Sequence, residues 1–261
     1  ALRRVLKAVG QFARSTPVGA LGGAMLLALM LAGIFAPALA PFDPVKLDLS
    51  QKLLPPSRTH LFGTDHLGRD VLSRTLYGAR ISLLVGLVVI SIGGTVGTSV
   101  GLVGGYLGGV ADQIIMRIAD MFMAFPTLVL AMALAAALGP NLINVMFAIS
   151  ITSWTTYARL VRGLVLSIKS EDYVLAAKSI GVSPFRILFR HILPNAIAPV
   201  FVASTLNMGV AILVASGLSF IGFGVQPPTP EWGAMVSDGR TYITTHYWIG
   251  TFPGLAILLA V

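Results

Sequence analysis

Long uncharged apolar runs alternate along this chain with short charged or proline-rich stretches. One run extends from Val18 to Ala40, and a second stays uncharged from Ile81 to Ala111. A third, from Met121 to Ala158, is too long for one spanning helix, which needs about 20 apolar residues. Gly139-Pro140-Asn141 breaks it near the middle, so the pattern predicts two helices, over about 121–138 and 142–165. A fourth run, Ile192 to Pro230, predicts a span at about 198–222. A last stretch opens near Tyr247 and is still apolar at Val261, so the chain is expected to end inside its sixth helix. The expected architecture is an all-α, polytopic membrane bundle of six transmembrane helices, the sixth truncated. Residues 1–79 hold an N-terminal tail, the first span and an outer segment, and 80–261 the transmembrane core.

Composition supports the membrane reading. Hydrophobic residues make up 56% of the 261 positions and charged residues 11%, far from the quarter charged of a soluble domain. Cysteine is absent, which excludes disulfides, thiolate metal sites and a cysteine nucleophile. The net charge of +8 rests on only 18 Lys+Arg, a sparse surplus that reads as orienting loop charge and not as a nucleic-acid footprint. With the N-terminus in the cytoplasm, eleven basic residues fall inside and seven outside. Arg3, Arg4, Lys7 and Arg14 resemble the start of a signal peptide, but the apolar stretch is too long and Pro41 would follow the cut, so an uncleaved anchor is expected. The outer stretch 41–80 holds Asp43, Asp48, Asp65 and Asp70, so its charges can pair locally, and its four prolines suggest a folded extramembrane segment.

Two patterns bear on function. Gly97, Gly101 and Gly105 repeat at small-xxx-small spacing, which lets two helix backbones approach closely, either within this chain or against a partner membrane subunit. Between the fourth and fifth spans, Ser170 is a candidate N-cap followed by the acidic Glu171 and Asp172, and Gly181 is a candidate C′ residue. Ser183 and Pro184 then open a second short helix, in which Phe185, Leu188, Phe189 and Ile192 share one face while Arg186 and Arg190 lie on another. Such a face lies on lipid, on its own bundle, or against a soluble partner.

Ala176-Ala177, Gly181 and Leu193-Pro194 resemble the cytoplasmic loop of permease subunits of bacterial ABC importers, with Leu175 and His191 departing from the usual glutamate and isoleucine. The stretches 63–70, 73–80, 116–120 and 125–126, together with 226–233 and 252–254, are similar to the dipeptide/oligopeptide/nickel permease group. The resemblance implies that residues 171–194 couple a cytoplasmic ATPase to the membrane helices. Ala176 and Ala177 would allow close approach, Gly181 the turn and Pro194 the exit, with Ser183, Pro184, Arg186 and Leu193 in the same element. It implies a second homologous permease, one or two ATP-binding subunits, and a periplasmic or lipid-anchored substrate-binding protein. That protein would face the outer loops, with Asp65, Arg69, Asp70, Glu231 and Trp232 as docking candidates. Transport would be by alternating access in the bacterial inner membrane.

No Gly-Lys pair exists in the sequence, so the chain has no phosphate-binding loop. It is therefore expected to be non-catalytic and cofactor-free, with ATP and magnesium held by partners. His60, Asp65, His66 and Asp70 match no compact metal motif, so short peptides are the expected cargo ahead of nickel. A secondary transporter would want buried mid-span carboxylates and internal repeats, and neither is visible. A membrane enzyme would want converging acids, histidines or an activated nucleophile, which are also missing. Arg117 and Asp120, three apart, are expected to pair on one helix or to snorkel. Met116, Met121 and Met123 are expected to fill the core.

Overall fold

The computed structural model describes residues 15–261. The basic residues Arg3, Arg4, Lys7 and Arg14 lie outside the described residues. Among those described, every regular element is helical apart from an isolated bridge between Thr64 and Asp70. The principal helices are α1 (Pro17–Ile34), α2 (Val71–Leu107), α3 (Gly109–Met123), α4 (Thr127–Leu138), α5 (Leu142–Ile168), α6 (Asp172–Ser179), α7 (Pro184–Phe220), α8 (Trp232–Gly239) and α9 (Trp248–Ala260). Among them α1, α2 and α7 are long and apolar enough to cross a bilayer, and α3 with α4 adds a fourth if that bent pair is one span. The contacts divide into two compact units, one of residues up to Leu83 with Pro227–Val261, the other Leu84–Gln226.

In the first unit, α1 buries only Gly33, as expected of an apolar helix whose solvent is lipid or another subunit. The segment after it is held by a core of Val71, Met235, Trp248 and Ile249, flanked by Phe62 stacked on Phe252 at 3.9 Å. Trp232 is fully buried and donates its indole N–H to the Thr75 carbonyl at 2.9 Å. α2 begins ten residues before the expected Ile81. Asp70 accepts a hydrogen bond from the Ser73 amide at 2.7 Å, so an N-cap starts the helix inside the charged stretch.

In the second unit, α2 lies along α5. A Cβ on Gly97 would stand 2.6 Å from Tyr157 Cβ, one on Gly101 2.5 Å from the Ala158 carbonyl oxygen, and one on Gly105 2.9 Å from Val165 Cβ. Gly93 meets the Ser153 hydroxyl in the same way. The four-residue glycine repeat is therefore filled by this chain's own helix. Of the two readings of the repeat, packing within the chain is the one observed.

The expected helix over 121–138 is in fact two helices, α3 and α4, bent by 87°. Phe125 precedes Pro126 and is steered away from helical dihedrals, and Pro126 brings no amide donor. Met121 and Met123, expected in the core, are exposed beside the bend. α7 also departs from expectation. Pro194 does not end the loop, because the chain runs as one helix from Pro184 through a π turn at Leu188–Ile192 and on past Pro199.

Candidate functional site

The segment 171–194 is built from short helices around one glycine turn. The N-cap of α6 is Glu171, not Ser170, whose hydroxyl instead donates to the Ser167 carbonyl at 2.7 Å. At the other end Gly181 takes φ +80°. Its amide donates to the Lys178 carbonyl and the Val182 amide to the Ala177 carbonyl, both at 3.0 Å. That pair of bonds is a Schellman closure, and only glycine enters its left-handed position without strain. Ser183 stands at the N-cap position without a side-chain bond, and Pro184 occupies the first turn.

The inner face of this segment is fixed. Val174, Ala177, Ile187 and Ile192 are buried in one cluster with Leu102 of α2, Tyr157, Val161 and Val165 of α5, and Val200 of α7, and Leu193 packs on its edge. Asn195 donates from Nδ2 to the His191 carbonyl at 2.7 Å and to the Tyr173 hydroxyl at 3.2 Å, tying α7 to α6. The outer face carries Ile180, Phe185 and Phe189, which are 81%, 71% and 50% exposed, with Ala176, Arg186 and Pro194 also exposed. Phe185 and Phe189 pair at 4.5 Å. The single apolar face expected for Phe185, Leu188, Phe189 and Ile192 is thus split. The π turn inserts extra rotation, so Ile192 turns inward while the phenylalanines stay out.

The outer candidates prove to be interior. Asp65, Arg69, Asp70, Glu231 and Trp232 are each at most 3% exposed. Asp65 accepts from the Leu67 and Arg69 amides and from Arg69 Nε at 2.6 Å, while Arg69 also reaches Asp238 at 3.5 Å. Asp70 pairs with His60 Nδ1 at 2.9 Å, and His60 Nε2 meets Gln51 Oε1 at 2.8 Å. Glu231 caps α8 through the Gly233 and Ala234 amides, both at 2.9 Å. Burial demands that such charges be paired, and the loop satisfies them internally. These five side chains are therefore not on the surface of this chain. Asp48 lies at the loop's exposed rim, where the Ser50 hydroxyl holds its carboxyl below the usual carboxylate range. Among the described residues, no three His, Cys, Asp or Glu side chains converge as metal ligands.

Within the second unit, α2, the α3–α4 bend, α5 and α7 enclose a cavity of about 190 Å³. Thr127, Thr152, Ser153, Thr155, Thr156, Tyr157 and Asn207 supply its polar lining, and Val89, Phe122 and Val214 part of its apolar wall. No acidic or basic side chain lines it. The sequence signal was Thr152-Ser153-Trp154-Thr155-Thr156-Tyr157, a polar run inside an apolar span.

Two ion pairs brace α3 against α5. Arg162 grips Asp112 bidentately, with Nε to Oδ1 at 2.6 Å and the second nitrogen to Oδ2 at 2.7 Å. Asp120 pairs with Arg159 at 2.6 Å, not with Arg117, because the bend sets α3 beside α5. The Asp112 pair is the more sheltered. Arg162→Lys removes the planar fork and is expected to cost about 2 kcal/mol, whereas Arg159→Lys should cost under about 1 kcal/mol. Thermal unfolding of the two variants in detergent checks the contrast.

Residues 93–261 match the family described as binding-protein-dependent transport system inner membrane component, and residues 13–56 match the N-terminal TM domain of oligopeptide transport permease C. The chain is 48% identical to the protein named "Probable D,D-dipeptide transport system permease protein DdpC" of Escherichia coli (strain K12), covering 94% of this chain and 83% of that one. It is 45% identical to the di/tripeptide transport system permease protein DppC of Pseudomonas aeruginosa, over 93% and 82%. It is 42% identical to the glutathione transport system permease protein GsiD of Pectobacterium atrosepticum, over 94% and 81%.

Proposed function

Because the chain belongs to the family of inner-membrane components of binding-protein-dependent transport systems, we propose that it is one of two homologous permeases moving short peptides inward by alternating access. Six crossings with a cytoplasmic N-terminus suit this role, built from α1, α2, the bent α3–α4 pair, α5, α7 and α9. One or two ATPases dock inside and a substrate-binding protein docks outside. Peptide cargo is supported by the names of the relatives, which cite dipeptides, di/tripeptides and glutathione. Nickel is disfavoured because both ring nitrogens of His60 are already engaged by Asp70 and Gln51.

One observation carries the coupling role of 171–194. This segment turns aromatic and aliphatic side chains outward at Ile180, Phe185 and Phe189, while Val174, Ala177, Ile187 and Ile192 pack inward on Leu102 of α2, on Tyr157, Val161 and Val165 of α5, and on Val200 further along α7. An ATPase pressing on the outer face would move three helices through a close-packed cluster, which transmits displacement and does not absorb it. Ala176 leaves room for close approach, and Arg186 supplies a charge at the rim of the contact. The test is co-purification in mild detergent of the double variant Phe185→Ser, Phe189→Ser. Desolvated aromatics dominate such contacts, so the ATPase recovered should fall at least about tenfold while the second permease is retained. Undiminished recovery of the ATPase would remove the coupling reading.

A further inference from the structure

The segment 171–194 passes into the rest of α7 through an irregular turn. The Leu193 amide donates to the Leu188 carbonyl five residues back, so one residue more than an α-turn is wound in at Leu188–Ile192. The extra residue decides what is buried. Ile187 and Ile192 both sit in the cluster with α2 and α5, yet five residues of regular α-helix would set them about 140° apart. Relaxation of the π turn to α-helix would therefore expel one of the two from the cluster. Pro194 removes the backbone amide that would close an α-turn onto the Arg190 carbonyl.

Asn195 stands at this weak point. A side-chain amide nitrogen carries two hydrogens. From Asn195 Nδ2 one goes to the His191 carbonyl inside the π turn, at 2.7 Å, and the other to the Tyr173 hydroxyl of α6, at 3.2 Å. The His191 carbonyl can only accept, which fixes the orientation of the amide. Tyr173 and the His191 ring also lie together, 6.4 Å between centroids. Packing holds the inner face of the segment, and this bridge ties the exposed side. We propose that Asn195 is a positioning residue of the transport cycle. It latches α6 to the π turn, so that a push on the outer face displaces α7 and is not lost in rewinding Leu188–Ile192. This rests on the coupling role of 171–194 and adds the residue through which the stroke passes.

The test measures labelled dialanine taken up per ATP hydrolysed, in vesicles holding the complete transporter. Tyr173→Phe removes one oxygen from an exposed side chain and keeps the ring. It should lower the ratio about threefold, the weight of one modest hydrogen bond. Asn195→Ala should lower it at least as far. The double variant should fall no further than Asn195→Ala, because both changes break one latch. A merely structural role would reduce the complex recovered and leave this ratio as it is. Gly181→Val in the same vesicles separates the failures. Latch variants at the wild-type ratio, beside an uncoupled Gly181→Val, overturn the latch and leave the coupling role standing. A double variant whose loss is the product of the two single losses also overturns the latch. Wild-type ratios throughout, Gly181→Val included, overturn the coupling role and the latch with it.

Discussion

Gly97→Val is expected to yield almost no folded protein. A Cβ at this position points into the backbone of α5, against the Trp154 carbonyl and 2.6 Å from Tyr157 Cβ. Neither obstacle is the flexible end of a side chain, so α2 and α5 must separate. Separation also loosens the same contact at Gly101, where the Ala158 carbonyl oxygen would stand 2.5 Å away, and at Gly105 against Val165. Overpacking of this kind costs about 3 kcal/mol before the loss of the neighbouring contacts is added. That is a large share of a typical folding free energy. The control is Gly163→Ala on α5, where a Cβ meets nothing within 4 Å. It should leave stability unchanged or raise it by up to about 1 kcal/mol through helix propensity. Size-exclusion profiles and thermal midpoints of the two purified variants measure the contrast. A Gly97→Val protein as stable as Gly163→Ala would refute close packing of α2 on α5.

The glycine repeat shows what was legible and what was not. Its spacing revealed a close helix contact, but spacing on one helix does not name the helix that fills it. The Gly181 turn was fully readable, because a left-handed helix end is a local event whose cause is the missing Cβ. The outer charges are legible only in part. Asp65 and Arg69 stand four apart, so their local pairing follows from the sequence, whereas the depth of their burial and the return of His60 onto Asp70 follow only from the folded loop. The apolar face of the second short helix failed because a 3.6-residue period assumes regular turns, and the π turn at Leu188–Ile192 breaks that phase. Asp120 has a candidate partner, Arg117, three residues away on its own helix, yet it pairs with Arg159 of α5 instead. Long apolar spans and the glycine turn follow from neighbouring residues, whereas the caps at Asp70 and Glu171 lie one or more residues from where the sequence places them. Pairings across helices and the cavity lining follow from the bend, and one proline in an apolar run does not announce an angle of 87°.

Gly181→Val is expected to abolish transport while leaving the protein folded and in the membrane. The position has φ +80°, and a Cβ there would meet nothing within 4 Å. Crowding is therefore absent, and any effect comes from the backbone alone. A β-branched residue resists this conformation by about 1–2 kcal/mol, and it relieves the strain by leaving the left-handed region. The Schellman pair from Gly181 and Val182 to Lys178 and Ala177 then opens. Ile180 shifts on the outer face, and Ala177 and Val182 lose their fixed place on the inner cluster. In the proposed assembly, where partner ATPases hold the nucleotide, ATP hydrolysis should continue, but its strokes would no longer reach α2, α5 and α7. A series separates this cause from general damage. Asn tolerates the left-handed region, so Gly181→Asn should transport near the wild-type rate, Gly181→Ala should be intermediate, and Gly181→Val should fall at least about tenfold. Dipeptide uptake per ATP hydrolysed, measured in vesicles at equal complex content, gives the ranking. A Val variant that transports as well as the Asn variant would show that the turn carries no coupling.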